Sequence, residues 1–107
     1  MAEHSNTIVL NVTIKVSWEI VEGWLVWQKT EHIPAHLGTG TFDSYGFYRL
    51  LEQDEDEGPT FVIQYFTSSP ERYEEYQSEF APALQRAAQE KWGGGFIAFR
   101  TLMEGLQ

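Results

Sequence analysis

Apolar and polar residues alternate without a break along residues 7–16. Ile8, Leu10, Val12, Ile14 and Val16 hold one parity, and Thr7, Val9, Asn11, Thr13 and Lys15 hold the other. Side chains on a strand point to opposite faces in turn, so the pattern predicts a strand with one face on a core. The period then changes. Ser17 is placed to cap a helix, and Glu19 falls in the first turn, where the helix dipole favours an acid. Ile20, Val21, Trp24, Leu25 and Trp27 form one broad apolar face, which predicts a helix over residues 18–32. Pro34 restricts Ile33 away from helical angles and is expected to end or kink that helix. Leu37-Gly38-Thr39-Gly40 supplies the following break.

A second strand is predicted over residues 45–53, a turn over 54–59, and a third strand over 60–67. The two strands are close enough in sequence to pair as an antiparallel hairpin. Ser69-Pro70-Glu71 then reads as an N-cap, a proline at the first helical position and an early acid. Tyr73, Tyr76, Phe80, Leu84, Ala87 and Ala88 make a second amphipathic stripe, which keeps phase across Pro82, so a kink is expected there rather than a stop. Gly93-Gly94-Gly95 ends this helix, and residues 96–103 form the last strand. The order is strand, helix, strand, strand, helix, strand over a single domain, residues 1–107. That is the split βαβ, or ferredoxin-like, arrangement: an α+β fold with a four-stranded antiparallel sheet and two helices on one of its faces.

The other face of the sheet changes the picture. On the third strand, Phe61, Ile63 and Tyr65 oppose Val62, Gln64 and Phe66, so both faces carry bulky side chains. A sheet face left in water is normally polar. A second copy of the chain is the expected cover, which predicts a homodimer. Four Trp, five Tyr and seven Phe in 107 residues agree, because so many large rings exceed what one small core hides. The net charge of −9, from 16 acidic and 7 basic residues, argues against nucleic acid or an anionic membrane as the main partner. With no cysteine there is neither a disulfide framework nor a thiolate nucleophile. Residues 1–6 lack the basic start and apolar core of a signal peptide, and no apolar run reaches membrane-spanning length. A cytoplasmic protein is expected.

Chemistry concentrates in Trp24–Pro34. Gln28, Glu31 and His32 fall on the apolar arc of the first helix, and polar groups aimed at a core need partners or a wet cleft. His32 is the most capable of them. It is placed to act as a general base or to orient a ligand in a cleft between helix and sheet. The structural alternative is a helix-end histidine bonded to terminal carbonyls or to Glu31. His36 lies four residues on, but Glu31 precedes the pair, Pro34 interrupts, and no third ligand is evident, so a metal site is not supported. Among strand residues, Arg49 shares a face with Phe47 and Leu51, and Arg100 with Ala98 and Leu102. Either arginine can hold a ligand carboxylate bidentately, or pair with one of the many acids. Trp27, Gln28, Arg49, Tyr65 and Arg100 are therefore the candidate ligand-binding set around His32. Residues 53–57 are a solvated acidic turn rather than a calcium loop, and the glycines at 93–95 open a strand, unlike a phosphate-binding loop.

Trp24-Leu25-x-Trp27 followed by Glu31-His32-Ile33-Pro34, on this order of elements, resembles the dimeric α+β barrel superfamily. More narrowly, the chain resembles a family of small bacterial proteins of unknown function. The pieces are Asn11-Val12-Thr13, Arg49-Leu50-Leu51, Gln64-Tyr65-Phe66, Ala81-Pro82-x-Leu84 and Phe96-Ile97-Ala98-Phe99-Arg100-Thr101. The resemblance implies the fold and a back-to-back dimer, and it brings no activity. The superfamily includes antibiotic-biosynthesis monooxygenases, EthD-like proteins, haem-degrading enzymes and muconolactone isomerases, whose chemistries a shared fold does not transfer. Three functions follow as expectations. The first is a homodimer binding a small, partly apolar molecule near His32. The second is a cofactor-free monooxygenase- or isomerase-like enzyme with His32 as base. The third is a structural dimer that docks onto another protein. No cofactor is predicted, and haem held by a single histidine stays open.

Overall fold

The computed structural model describes residues 7–106; residues 1–6, on which the signal-peptide reading rests, lie outside the described residues. Strand β1 (Ile8–Val16) is followed by a helix in three parts: α1 (Val21–Trp27), a widened π turn (Gln28–His32) and α2 (Ile33–Gly38). Strands β2 (Ser44–Arg49) and β3 (Thr60–Thr67) come next. The second helix is α3 (Pro70–Glu75), a π turn (Tyr76–Phe80) and α4 (Ala81–Trp92), and the 3-10 turn Gly93–Gly95 leads into β4 (Phe96–Glu104). The sheet runs β2-β3-β1-β4, and all neighbours are antiparallel. This is the ferredoxin-like fold. Among the described residues, no helix is long and apolar enough to cross a membrane.

The alternation in β1 does what it predicts. Leu10, Val12, Ile14 and Val16 are buried beneath the helices, with Phe61, Ile63 and Tyr65 of β3 beside them and Trp24, Trp27, Ile33, Tyr76 and Ala88 closing the core from above. Parity follows from the register: Val12 pairs with Ile63 and with Arg100, and Thr13 with Val62 and with Phe99. Arg100 therefore shares the helix side of the sheet, and Phe99 the helix-free side.

Three boundaries depart from the sequence reading. The first helix starts at Val21, not Trp18, because residues 17–20 form a turn: Ser17 O accepts from Ile20 N–H, and the Trp18 indole N–H donates to the Glu55 carbonyl at 2.8 Å. β2 ends at Arg49, four residues short of the expected strand, as the chain leaves the ladder into the acidic turn. Pro34 does not end the first helix. Ile33, just ahead of it, keeps helical angles (φ −62°, ψ −47°), and its N–H reaches back five residues to Gln28 O. The second helix repeats the device: Ala81 N–H bonds to Tyr76 O immediately before Pro82. A proline inside a helix removes a donor and crowds the carbonyl four residues earlier. Widening the turn before it lets the helix run on, and π turns of this kind recur at functional sites.

One glycine is required by its surroundings. Gly58 has φ +152°, and a Cβ there would collide with the Val16 carbonyl oxygen, on backbone held by the Val16 N–H to Pro59 O bond of 3.0 Å. Neither side of that contact is a flexible side-chain end. Gly58→Ala is expected to destabilise the fold by about 2–3 kcal/mol, read from urea unfolding, through strain in the only route from the acidic turn into β3. An unchanged midpoint would show that the turn relaxes freely.

Candidate functional site

Gln28 and His32 of the first helix's π turn, and Tyr76 of the second helix's, face residues of β3, β1 and β4. Between these elements lies a cavity of about 30 Å³. Its floor is Val12 and Ile14 of β1, Ile63 and Tyr65 of β3, and Ala98 and Arg100 of β4. Its roof is Trp24, Gln28, His32 and His36 of the first helix, with Tyr76 of the second. By the usual measure of about 10–15 Å³ per water, it admits two or three non-hydrogen atoms. A drug- or cofactor-sized ligand needs several hundred Å³, so such a ligand would require these side chains to move.

The walls are rings in sequence. Trp27 stacks on His32 with centroids 4.3 Å apart, His32 meets His36 edge-on at 4.7 Å, and His36 stacks on Tyr65 at 4.5 Å. Tyr76 lies 5.8 Å from His36. The column follows from spacing on the helix: His32 and His36 are one turn apart, so both rings reach the same side. His36 Nδ1–H donates to the His32 carbonyl at 2.8 Å, which leaves Nε2 as the acceptor in the neutral ring. His32 has no hydrogen bond from either ring nitrogen among the described residues. The helix-end role, bonded to Glu31 or to terminal carbonyls, is not what the geometry presents.

Electrostatics at this site have one direction. Burial, then the neighbouring His36, then the Arg100 guanidinium lower the His32 pKa to about 3. Burial lowers that of His36 to about 4, opposed by its backbone hydrogen bond, with Arg100 lowering it further. Both imidazoles are therefore neutral at pH 7. Burial pushes the Tyr65 hydroxyl well above its ordinary range and that of Tyr76 up to about 12, with Arg100 opposing in each case. Three buried polar atoms lack a protein partner among the described residues, Gln28 Oε1, the Tyr65 hydroxyl and Trp92 Nε1, and the first two are on residues lining the cavity. Gln28 and Tyr65 are 3% and 1% exposed. Such groups are rare in native interiors, because each unmet hydrogen bond costs free energy.

The structure brings together His32, Gln28, Tyr65 and Arg100 of the sequence-predicted set, with Trp27 behind His32 as its stacking partner. It does not bring Arg49. That side chain forms a bidentate pair with Glu55, at 2.7 Å and 3.2 Å, in the hairpin loop. Arg100, by contrast, has no carboxylate partner among the described residues. The sequence reading weighed His36 only as a metal ligand and took Trp24 and Tyr76 as core. The part of His36 and Tyr76 in the cavity depends on the π turns, which no spacing rule announces. Among the described residues, no group of three or more His, Asp or Glu side chains gathers in a metal-holding arrangement.

Comparison with known proteins decides the family. A family described as a domain of unknown function, DUF4286, matches the chain over residues 7–106. The chain belongs to this family. No curated protein matches this DUF4286 chain. Among solved structures it is similar to a conserved protein of unknown function from Bacteroides thetaiotaomicron, described as a possible oxidoreductase (16% identity, 94% of this chain and 98% of that one, TM-score 0.68). It is also similar to SnoaB, a cofactor-independent oxygenase from Streptomyces nogalater (12% identity, 95% of both chains, TM-score 0.66). A third is a dimeric ferredoxin-like protein of unknown function from Jannaschia sp. CCS1 (11% identity, 89% of this chain and 97% of that one, TM-score 0.57). At such identities the likeness is one of fold.

Proposed function

We propose that this DUF4286 protein is a cytoplasmic homodimer that binds a small molecule in the cavity beneath its first helix. The observation that carries this reading is the pair of buried, unpartnered polar atoms, Gln28 Oε1 and the Tyr65 hydroxyl, on residues lining a space that also holds two neutral imidazoles. A site kept only for packing would fill these positions with apolar groups at lower cost.

The homodimer is supported by the helix-free sheet face. Phe99 is 65% exposed, Ile97 60% and Tyr48 53%, and Met103 and Val62 stand on the same side. At the centre of this face, Gln64 Nε2–H donates to Asn11 Oδ1 at 3.0 Å. Bulky apolar groups around a small satisfied polar centre fit burial against a second copy, and the Jannaschia protein of the same fold is dimeric.

A cofactor-free oxygenase-like enzyme is the second reading, favoured by the SnoaB likeness. His32 as the base is the weak point, because a group with a pKa of about 3 has little driving force to take a proton at neutral pH. Orienting a ligand through a neutral ring N–H suits it better. The test is a thermal-shift screen of wild type and His32→Ala against metals, haem, flavins and small aromatic or carboxylic acids. A ligand well above its Kd raises the midpoint by several degrees in a domain of this size. A hit that His32→Ala abolishes supports the site. No hit in any class, with the variant merely less stable, would make His32 a packing residue and point to a protein partner.

A further inference from the structure

Resting on the proposed small-molecule site, we infer that its ligand is a short hydroxy acid, with the carboxylate on Arg100 at the mouth and the hydroxyl inside on Gln28 and Tyr65. Charge is the first argument. The chain carries 16 acidic residues against 7 basic ones, yet no Asp or Glu is among the residues lining this cavity. Its one charged group is Arg100, which is exposed and has no carboxylate partner among the described residues, where the two ion pairs use Arg49 and Arg72. A guanidinium without a carboxylate, in a chain with acids to spare, is a ready partner for an incoming one, because its fork matches carboxylate geometry.

Size is the second argument. The enclosed space takes two or three non-hydrogen atoms. A carboxylate held at the mouth by Arg100 therefore leaves room inside for a carbon or two and one terminal polar atom. Polarity inside is the third. Gln28 Oε1 accepts a hydrogen bond and the Tyr65 hydroxyl can donate or accept one, so together they suit an alcohol, which does both. Trp24, His32 and His36 line the rest with ring faces and edges, against which a short carbon chain packs. A long or aromatic acid does not fit inside this space, and a cation would meet Arg100.

The experiment uses glycolate as probe, with glycolamide (same shape, no charge) and acetate (same charge, no hydroxyl) as controls. Each is titrated into wild type, Arg100→Met and Tyr65→Phe at neutral pH while the imidazole resonances of His32 and His36 are followed by NMR. Arg100 is exposed, so its replacement leaves the core intact. Wild type is expected to shift both imidazoles with glycolate and to bind glycolamide at least about tenfold more weakly, the loss of a charge-assisted hydrogen bond. Arg100→Met should remove that preference, and Tyr65→Phe should remove the preference for glycolate over acetate. Glycolate and glycolamide binding alike would overturn the anion assignment while leaving the small-molecule site standing. Glycolate and acetate binding alike would overturn the hydroxyl. A response to some other class of compound in the thermal screen, with none to these three, overturns this inference alone, whereas silence in both overturns the site.

Discussion

Lowering the pH from about 7 to about 5 is expected to cost the fold roughly 3–4 kcal/mol through His32 and His36 together. In the folded chain both rings are neutral, with pKa values of about 3 and about 4, against an ordinary value of 6.5. On unfolding each ring returns to that ordinary value. Below pH 6.5 the unfolded chain therefore binds a proton that the folded chain refuses, and each histidine removes up to about 1.4 kcal/mol per pH unit. The stability is fully present above pH 6.5. It is lost as the pH falls, until the folded rings themselves take protons near pH 4 and pH 3. The chain's net charge of −9 adds a separate contribution of opposite sign, because self-repulsion eases as that charge falls. A difference measurement separates the two. His32→Phe keeps a ring against Trp27, and His36→Asn keeps a donor near the His32 carbonyl while giving up the ring on Tyr65, so the double variant starts from a lower stability but loses the titration. Urea unfolding at fixed protein concentration should then show a steep pH dependence in wild type and a much flatter one in the double variant. Equal slopes would mean that the two imidazoles are not held neutral by the fold.

That linkage was half legible in the sequence. His32 on the apolar arc of a helix is enough to place it inward, since Trp24 and Trp27 fix which side is buried. The alternation from Thr7 to Val16 is enough to make β1 and to give Arg100, by parity with Ala98 and Leu102, a face of its sheet. What spacing does not carry is the π turn. Pro34 reads as a stop because a proline costs the helix a donor, and only the register shift that brings Ile33 N–H to Gln28 O shows how the cost is met. His36 enters the cavity only because the helix continues past that proline. Arg49 is the reverse case. Its apolar neighbours made it look like Arg100, but the strand ends at Arg49 itself, and the following loop folds Glu55 back onto it. Local pattern identified both arginines, and the path of one loop decided between them.

The second large effect concerns assembly. Thr13→Arg is expected to turn the proposed homodimer into a folded monomer, weakening association by at least about a hundredfold. Thr13 sits mid-strand on the helix-free face, flanked by Val62 on one side and Phe99 on the other. In a two-fold dimer any change on this face occurs twice, so two long cations would be buried in the interface among apolar neighbours such as Val62 and Phe99. Gln85→Arg, on the exposed side of α4, adds the same charge away from the sheet and should leave assembly unchanged. Sedimentation separates the species, and circular dichroism confirms that each variant is folded. A folded Thr13→Arg protein that stays dimeric would place the partner on another surface. The site should feel the difference. Phe99 and Arg100 are consecutive on β4, one facing the proposed partner and the other the cavity, and among the described residues β4 is an edge strand paired with β1 alone. A partner packed on Phe99 steadies the backbone that aims Arg100. Loss of the dimer is therefore expected to weaken ligand binding even though Thr13 faces away from the cavity.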